Sequence, residues 1–130
     1  MKIKSISQVK NLAGKTVFLR ADLNVPIKNW AIKDDYKIVM ILPTIRFLLR
    51  HGCRLIIATH LDKGLTAKPL AKRLAELLDR KVLFAGDCLG DKVARALKQA
   101  KAGELVLLEN LRFNKEEEKN DKRFAKDLAR

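Results

Sequence analysis

No stretch of this sequence is apolar for long enough to cross a bilayer as a helix. The longest uninterrupted apolar run is Ile38 to Leu42, against the ~20 residues a spanning helix needs, so a membrane protein is not expected. The basic start, Met1-Lys-Ile-Lys-Ser-Ile-Ser, is followed by no apolar core and no small-residue cleavage site. No secretory signal is read there, and the cytoplasm is the expected compartment. Cysteine is scarce too. Cys53 and Cys88 are the only two, with no CxxC and no Cys/His spacing, which argues against a disulfide staple and a metal ligand set. Aromatics amount to 5 Phe, 1 Tyr and 1 Trp. They form no RNP-like run, and zinc-finger spacing and a basic helix with heptads are missing as well, so no specific nucleic-acid partner is expected. The six glycines, at 14, 52, 64, 86, 90 and 103, never group as GxGxxG or GxxxxGK[ST]. This segment therefore carries no glycine-rich nucleotide-phosphate cradle.

What the sequence does hold is positive charge and a repeating pattern of short apolar runs. In 130 residues, 28 Lys and Arg face 15 Asp and Glu, a formal net charge of +13. The excess is spread along the chain, with 12 cationic against 4 acidic residues in 1–65 and 16 against 11 in 66–130. Such a balance favours an anionic partner without naming one. With 48% hydrophobic and 33% charged residues, the composition is that of a soluble globular domain with one core, spanning 1–130.

Four apolar runs, Thr16 to Leu19, Leu55 to Ala58, Val82 to Ala85 and Leu105 to Leu108, show no polar alternation and read as strands buried on both faces. Helical periodicity fills the gaps. After Asp34-Asp35, the residues Ile38, Ile41, Leu42, Ile45, Leu48 and Leu49 share one face and Gly52 closes the helix, with Pro43 predicting a kink or a later start. The second helix takes Thr66 as N-cap, Pro69 in its first turn, and Leu70, Leu74, Leu77 and Leu78 on one face. A third runs from about Gly90 with Val93, Ala96, Leu97 and Ala100 aligned, and stops before Gly103. The fourth starts at Asn120-Asp121 and carries Phe124 and Leu128. The order β-α-β-α-β-α-β-α predicts an α/β fold, a three-layer Rossmann-like arrangement with a mainly parallel sheet and helices on both faces.

Open parallel sheets bind ligands outside the carboxyl ends of their strands, where loops vary over a fixed scaffold. Here those ends run into Arg20-Ala-Asp22-Leu-Asn24-Val-Pro26, Thr59-His60, Gly86-Asp87 and Glu109-Asn110-Leu-Arg112-Phe. Each residue has a structural alternative: Asp22 and Asn24 as turn formers, His60 as a hydrogen-bonded loop residue, Arg112 stacked on Phe113. Independent structural roles would scatter over both rims, whereas these gather on one. The cations Arg20, Lys37, Lys63 and Arg112 suit a small phosphorylated or carboxylated ligand. Glu116-Glu117-Glu118-Lys119 reads as solvated charge before the last helix.

These rim residues resemble phosphoglycerate kinase, specifically the first part of its N-terminal domain. The matching segments are Lys15-Thr-Val-Phe-Leu-Arg-Ala-Asp-Leu-Asn-Val-Pro26, Leu42-Pro-Thr-Ile45, Thr59-His-Leu61, Gly86-Asp-Cys-Leu-Gly90, Glu109-Asn-Leu-Arg-Phe113 and Glu116-Glu-Glu-Lys-Asn-Asp121. The resemblance implies an incomplete N-terminal domain, continued in the family by another strand and by a second, nucleotide-binding domain outside this chain. It implies a kinase that moves a phosphoryl group reversibly between 1,3-bisphosphoglycerate and ADP in glycolysis. The magnesium that accompanies ADP or ATP would be held by that second domain, so no metal and no cofactor site is expected here, and a monomer is expected. By the same resemblance, Asp22 and Asn24 would bond the carboxylate end and hydroxyl of 3-phosphoglycerate, His60 and Arg112 would hold its phosphate, and Arg20 would support Asp22.

Two departures stand out. Lys37 occupies the position of the family's catalytic arginine, which keeps the charge and loses the planar fork. After His60 the family's Leu-Gly-Arg-Pro becomes Leu61-Asp-Lys-Gly64 with a shortened loop, so Lys63 replaces a phosphate-binding arginine. The alternative they raise is a non-catalytic anion-binding relative or fragment that has lost phosphoryl transfer, and the 130-residue chain alone is expected to be inactive.

Overall fold

The computed structural model describes residues 3–62 and 64–130. Four strands, β1 (Thr16–Arg20), β4 (Arg54–Ala58), β5 (Val82–Phe84) and β6 (Leu105–Leu107), form one sheet in the order β1-β4-β6-β5. Every neighbouring pair is parallel, with Thr16 opposite Arg54, Leu55 opposite Leu105 and Val82 opposite Leu105. Ladder bonding runs a residue further, since Ala85 N donates to Leu107 O and Leu108 N to Ile57 O at 2.9 and 3.0 Å.

Burial on both faces holds only in the centre. Leu55, Ile57, Leu105 and Leu107 pack into one apolar cluster and Ile56, Ala58, Val106 and Leu108 into the other. Period-two side-chain alternation thus feeds two cores from the same strands. The two edge strands depart from the expectation: β5 is half-buried throughout, and β1 alternates, exposing Thr16, Phe18 and Arg20. Each pairs on one side only, so helices cover it incompletely.

The larger core lies under α1 (Tyr36–Arg50) and α2 (Lys68–Leu78), and the smaller lies under α3 (Asp91–Gln99) and Phe124 of α5 (Lys122–Leu128). Helix α1 buries Ile38, Leu42, Ile45, Leu48 and Leu49 and passes through Pro43, so no later start occurs. Pro43 cannot donate to Val39 O. Both residues are exposed, which lets water take that carbonyl. Gly52, at φ +75°, ends the helix as expected. Asp34 rather than Asp35 bonds the first turn, accepting from Tyr36 N at 2.9 Å, while Asp35 binds Arg73 of α2 at 2.6 Å. The N-cap position of α2 falls on Ala67, one residue past the expected Thr66, whose hydroxyl still accepts from Lys68 N in the first turn at 3.3 Å. The displacement has a cause outside the helix: Glu109, beyond β6, accepts from Ala67 N at 2.6 Å and from Thr66 Oγ1 at 2.7 Å. Asp121 caps α5 as expected, accepting from Phe124 N at 2.8 Å.

A hairpin and a single-turn helix are among the elements too short to show any sequence periodicity. An antiparallel hairpin, β2 (Ile27–Lys28) and β3 (Ala31–Ile32), turns through Asn29 and Trp30 at φ +51° and +64°. A single-turn helix, α4 (Lys115–Glu118), contains the acidic run expected to be mere solvated charge. Among the described residues no helix is long and apolar enough to cross a membrane.

Candidate binding site at the carboxyl rim

All four parallel strands point their carboxyl ends the same way, which places residues 20–26, 59–62, 86–87 and 109–112 along one rim. The loop after β1 is pinned from below: Thr59, fully buried, accepts from Leu23 N at 3.0 Å, and Leu23 and Val25 insert into the larger core. With alternate residues anchored inward, Asp22 and Asn24 are left on the outer side. Asn24 N donates to Asp22 Oδ1 at 3.1 Å, and Asn24 Nδ2 reaches Asp62 Oδ1 at 3.3 Å.

Lys37, in the first turn of α1, comes to the same spot. Its Nζ lies 3.2 and 3.3 Å from the two oxygens of the Asp22 carboxylate. The bond from Asn24 N does most to lower the pKa of Asp22; desolvation opposes it, and Lys37 and the nearby His60 add to the lowering. Beside them opens a concavity of about 340 Å³ lined by Asp22, Tyr36, Lys37, Met40 and Ile41. His60 leaves its Nδ1 buried with no hydrogen-bond partner among the described residues. An unpartnered buried ring nitrogen, on a residue near enough to Asp22 to act on its carboxylate, is costly unless something polar meets it.

The two arginines stand differently from expectation. Arg20 does not touch Asp22. It pairs with Glu117 of α4, and the contact foreseen for it is made by Lys37 instead. Strand alternation explains this, since Arg20 shares the exposed face of β1 with Phe18, toward α4 and α5. Arg112 sits in a 3-10 turn, Leu111–Phe113, with Nε 3.7 Å from Glu118 Oε1. Lys63 lies outside the described residues. The rim therefore gathers Asp22, Asn24, Lys37 and His60, while Arg20 and Arg112 are held to the acidic turn α4.

Glu109 and Asn110 build the rim from underneath. Glu109 is 9% exposed and takes a third donor, Asn110 N, at 2.8 Å. Asn110 is fully buried and bonds the loop that carries His60. Asp87 accepts from Cys88 N at 2.8 Å as a turn former. Sequence reasoning missed Glu117 and Glu118. The signal available was charge balance: a rim with so many cations calls for a counter-charge, and the run at 116–118 is the nearest acidic one in the chain. Burial raises both thiols: Cys88, donating to Glu109 O, is pushed up to about 12, and Cys53 moves the same way. Among the described residues no cluster of His, Cys, Asp or Glu is arranged to hold a metal ion. A cavity of about 590 Å³ lies away from the rim between Trp30 and α2. Its Arg73 is already paired with Asp35 and Glu76.

Fold and rim together define a class: an α/β domain with an open parallel sheet whose carboxyl edge collects polar and cationic side chains, the place such sheets use for small ligands. The family model described as phosphoglycerate kinase matches residues 6–130. The chain belongs to the phosphoglycerate kinase family. It is 46% identical over 126 residues to the phosphoglycerate kinase of Dictyoglomus turgidum, covering 92% of this chain and 32% of that protein. To the enzyme of Borreliella afzelii it is 43% identical over 136 residues, covering 99% and 35%. The crystal structure of phosphoglycerate kinase from Pyrococcus horikoshii superposes with a TM-score of 0.86 at 36% identity, covering 97% of this chain and 34% of that one. The chain thus spans about a third of the length of the relatives it matches.

Proposed function

We propose that this chain supplies the phosphoglycerate-binding side of a phosphoglycerate kinase, a phosphotransferase that moves a phosphoryl group reversibly between 1,3-bisphosphoglycerate and ADP in the cytoplasm. The observation that carries it is the cluster of Asp22, Lys37 and His60 at the carboxyl rim, assembled from three separate segments within the motifs of the family. Asp22 and Asn24 would accept and donate at the hydroxyl and carboxylate end of 3-phosphoglycerate. His60, Arg112 and Lys63 would hold the phosphate, with Lys37 facing the reacting end. Arg20 reaches the ligand only by leaving Glu117. The nucleotide, with its magnesium, is assigned to a second domain outside these 130 residues. Phosphoryl transfer asks a protein mostly for positioning and for neutralising charge on the transferring oxygens. Lys37 does the second at the acyl-phosphate end, once the ligand draws it off Asp22.

A second function is favoured by one observation: Lys37, where the family has an arginine, is already neutralised by Asp22. A non-catalytic anion-binding protein would keep such a pair closed. A coupled assay on the full-length protein with saturating ADP, magnesium and 1,3-bisphosphoglycerate separates the two. Turnover is expected. Binding of 3-phosphoglycerate without turnover would establish the second function, and absence of both would remove the site.

A further inference from the structure

Asn110 is fully buried, and every polar atom of its side chain is engaged. Its single oxygen, Oδ1, accepts two main-chain amides at once, Leu61 N and Arg112 N, each at 3.0 Å. Its Nδ2 donates to Leu65 O at 2.8 Å, with longer approaches to Asp62 O and Leu61 O at 3.4 and 3.5 Å. One planar amide therefore ties its own loop, at Arg112 N two residues on, to a second loop, at the residue after His60, 49 residues earlier in the chain than Asn110. An amide is the one short side chain that offers two lone pairs and two protons in a plane. Aspartate would keep the acceptors and lose the donors, and leucine would lose both. Glu109 adds rigidity by accepting Asn110 N at 2.8 Å while holding Ala67 N of the same loop.

We infer that Asn110 is a positioning residue for anion binding, setting the separation of His60 and Arg112 so that both meet one phosphate. This rests on the phosphate-binding assignment of those two side chains, and one arm of the test is independent of it. A hydrogen bond of this kind contributes about 1 kcal/mol, or roughly fivefold in an equilibrium, and more when its loss leaves a buried group unpaired.

In the full-length protein carrying Asn110→Ala, the exchange of the Leu61 and Arg112 amides should accelerate together by about tenfold or more, without ligand, while that of Leu108 stays unchanged. Affinity for 3-phosphoglycerate should fall about tenfold, and that loss should shrink to about twofold when Asn110→Ala is made in a His60→Ala/Arg112→Ala background. A residue that merely holds the fold would lose the same affinity in both backgrounds, and that outcome overturns the inference. Unchanged exchange at either amide overturns it too. If Asn110→Ala does not fold, Asn110→Asp decides, because it keeps the acceptor: both amides should stay protected, and their joint loss of protection refutes the bridging role. A parent protein that ignores 3-phosphoglycerate would refute the ligand assignment, and the amide exchange would still report whether one side chain couples the two loops.

Discussion

The rim has two polar halves in opposite conditions. Thr59, Glu109 and Asn110 are buried and bonded at 2.6 to 3.0 Å to amides and a hydroxyl of neighbouring loops. Asp22, Lys37, Arg20 and Arg112 are between a third and more than half exposed and hold counter-charges, two of those pairs at 3.2 and 3.7 Å. Buried polar groups cost heavily when unpaired, so the inner half has no freedom left for a ligand. Exposed ion pairs contribute little and exchange partners readily. The inner half builds the site, then, and the outer half is available to work in it. Taken as bare letters, Glu109 and Asp22 are equally good candidates for chemistry, and only burial separates them.

The sharpest way to break this division is Glu109→Ala. It would leave Ala67 N, Asn110 N and the Thr66 hydroxyl without their acceptor, and unmaking that set should lower stability by about 3 kcal/mol. Urea unfolding measures it. A loss under about 0.5 kcal/mol, the size expected of an ordinary surface substitution, would put Glu109 in the outer half. Next in size is Arg112→Ala, which takes away a side chain one-third exposed (35%) and paired only loosely with Glu118. Stability should barely change, while affinity for 3-phosphoglycerate in the full-length protein should fall by about 2 kcal/mol, some thirtyfold, the lower end for truncating a charged contact. Calorimetric titration checks it, and equal affinities would remove Arg112 from the site.

The sheet, its strand spans, the four main helices and the edge of the sheet where the polar rim lies were legible in the sequence, because each rests on a period repeated over many residues. Asp22, Asn24 and His60 could be placed together for the same reason: a parallel sheet aligns its strand ends wherever its strands occur. What could not be read depends on partners distant in sequence. Thr66 is displaced from the N-cap by Glu109, 43 residues on. Arg20 meets Glu117, 97 residues on, in place of Asp22. The Asn29-Trp30 turn hides for another reason: two-residue hairpins with both φ positive favour glycine at the second position, and an indole there gives no turn signal.

Lys37 tests the outer half from within. Lys37→Arg in the full-length protein should keep the contact with Asp22 and add a planar fork for the charge that develops on the transferring oxygens. Turnover should rise by about fivefold, roughly 1 kcal/mol, with little change in KM, because the gain belongs to the transition state. Steady-state kinetics decides it, and a change confined to KM would make Lys37 a ground-state binder.

The smallest effect expected is the one that asks whether Arg20 is held in reserve. Its partner Glu117 is well covered, with 17% of its side chain exposed, whereas Arg20 is 54% exposed. The carboxylate is therefore the fixed member of the pair and the guanidinium the movable one. An entering oxyanion must compete with that carboxylate for Arg20, and a pair with one such exposed member resists by about 0.5 kcal/mol. Glu117→Gln keeps the shape of α4 and removes the competing charge. Affinity for 3-phosphoglycerate should then rise about twofold at low salt, and the gain should fade as ionic strength shortens the Debye length to ~3 Å near 1 M. A fall in affinity would mean that Glu117 holds Arg20 in its binding position instead of withholding it. No change at either salt concentration would leave Arg20 a surface cation of the β1 edge and confine the anion site to Lys37, His60, Lys63 and Arg112.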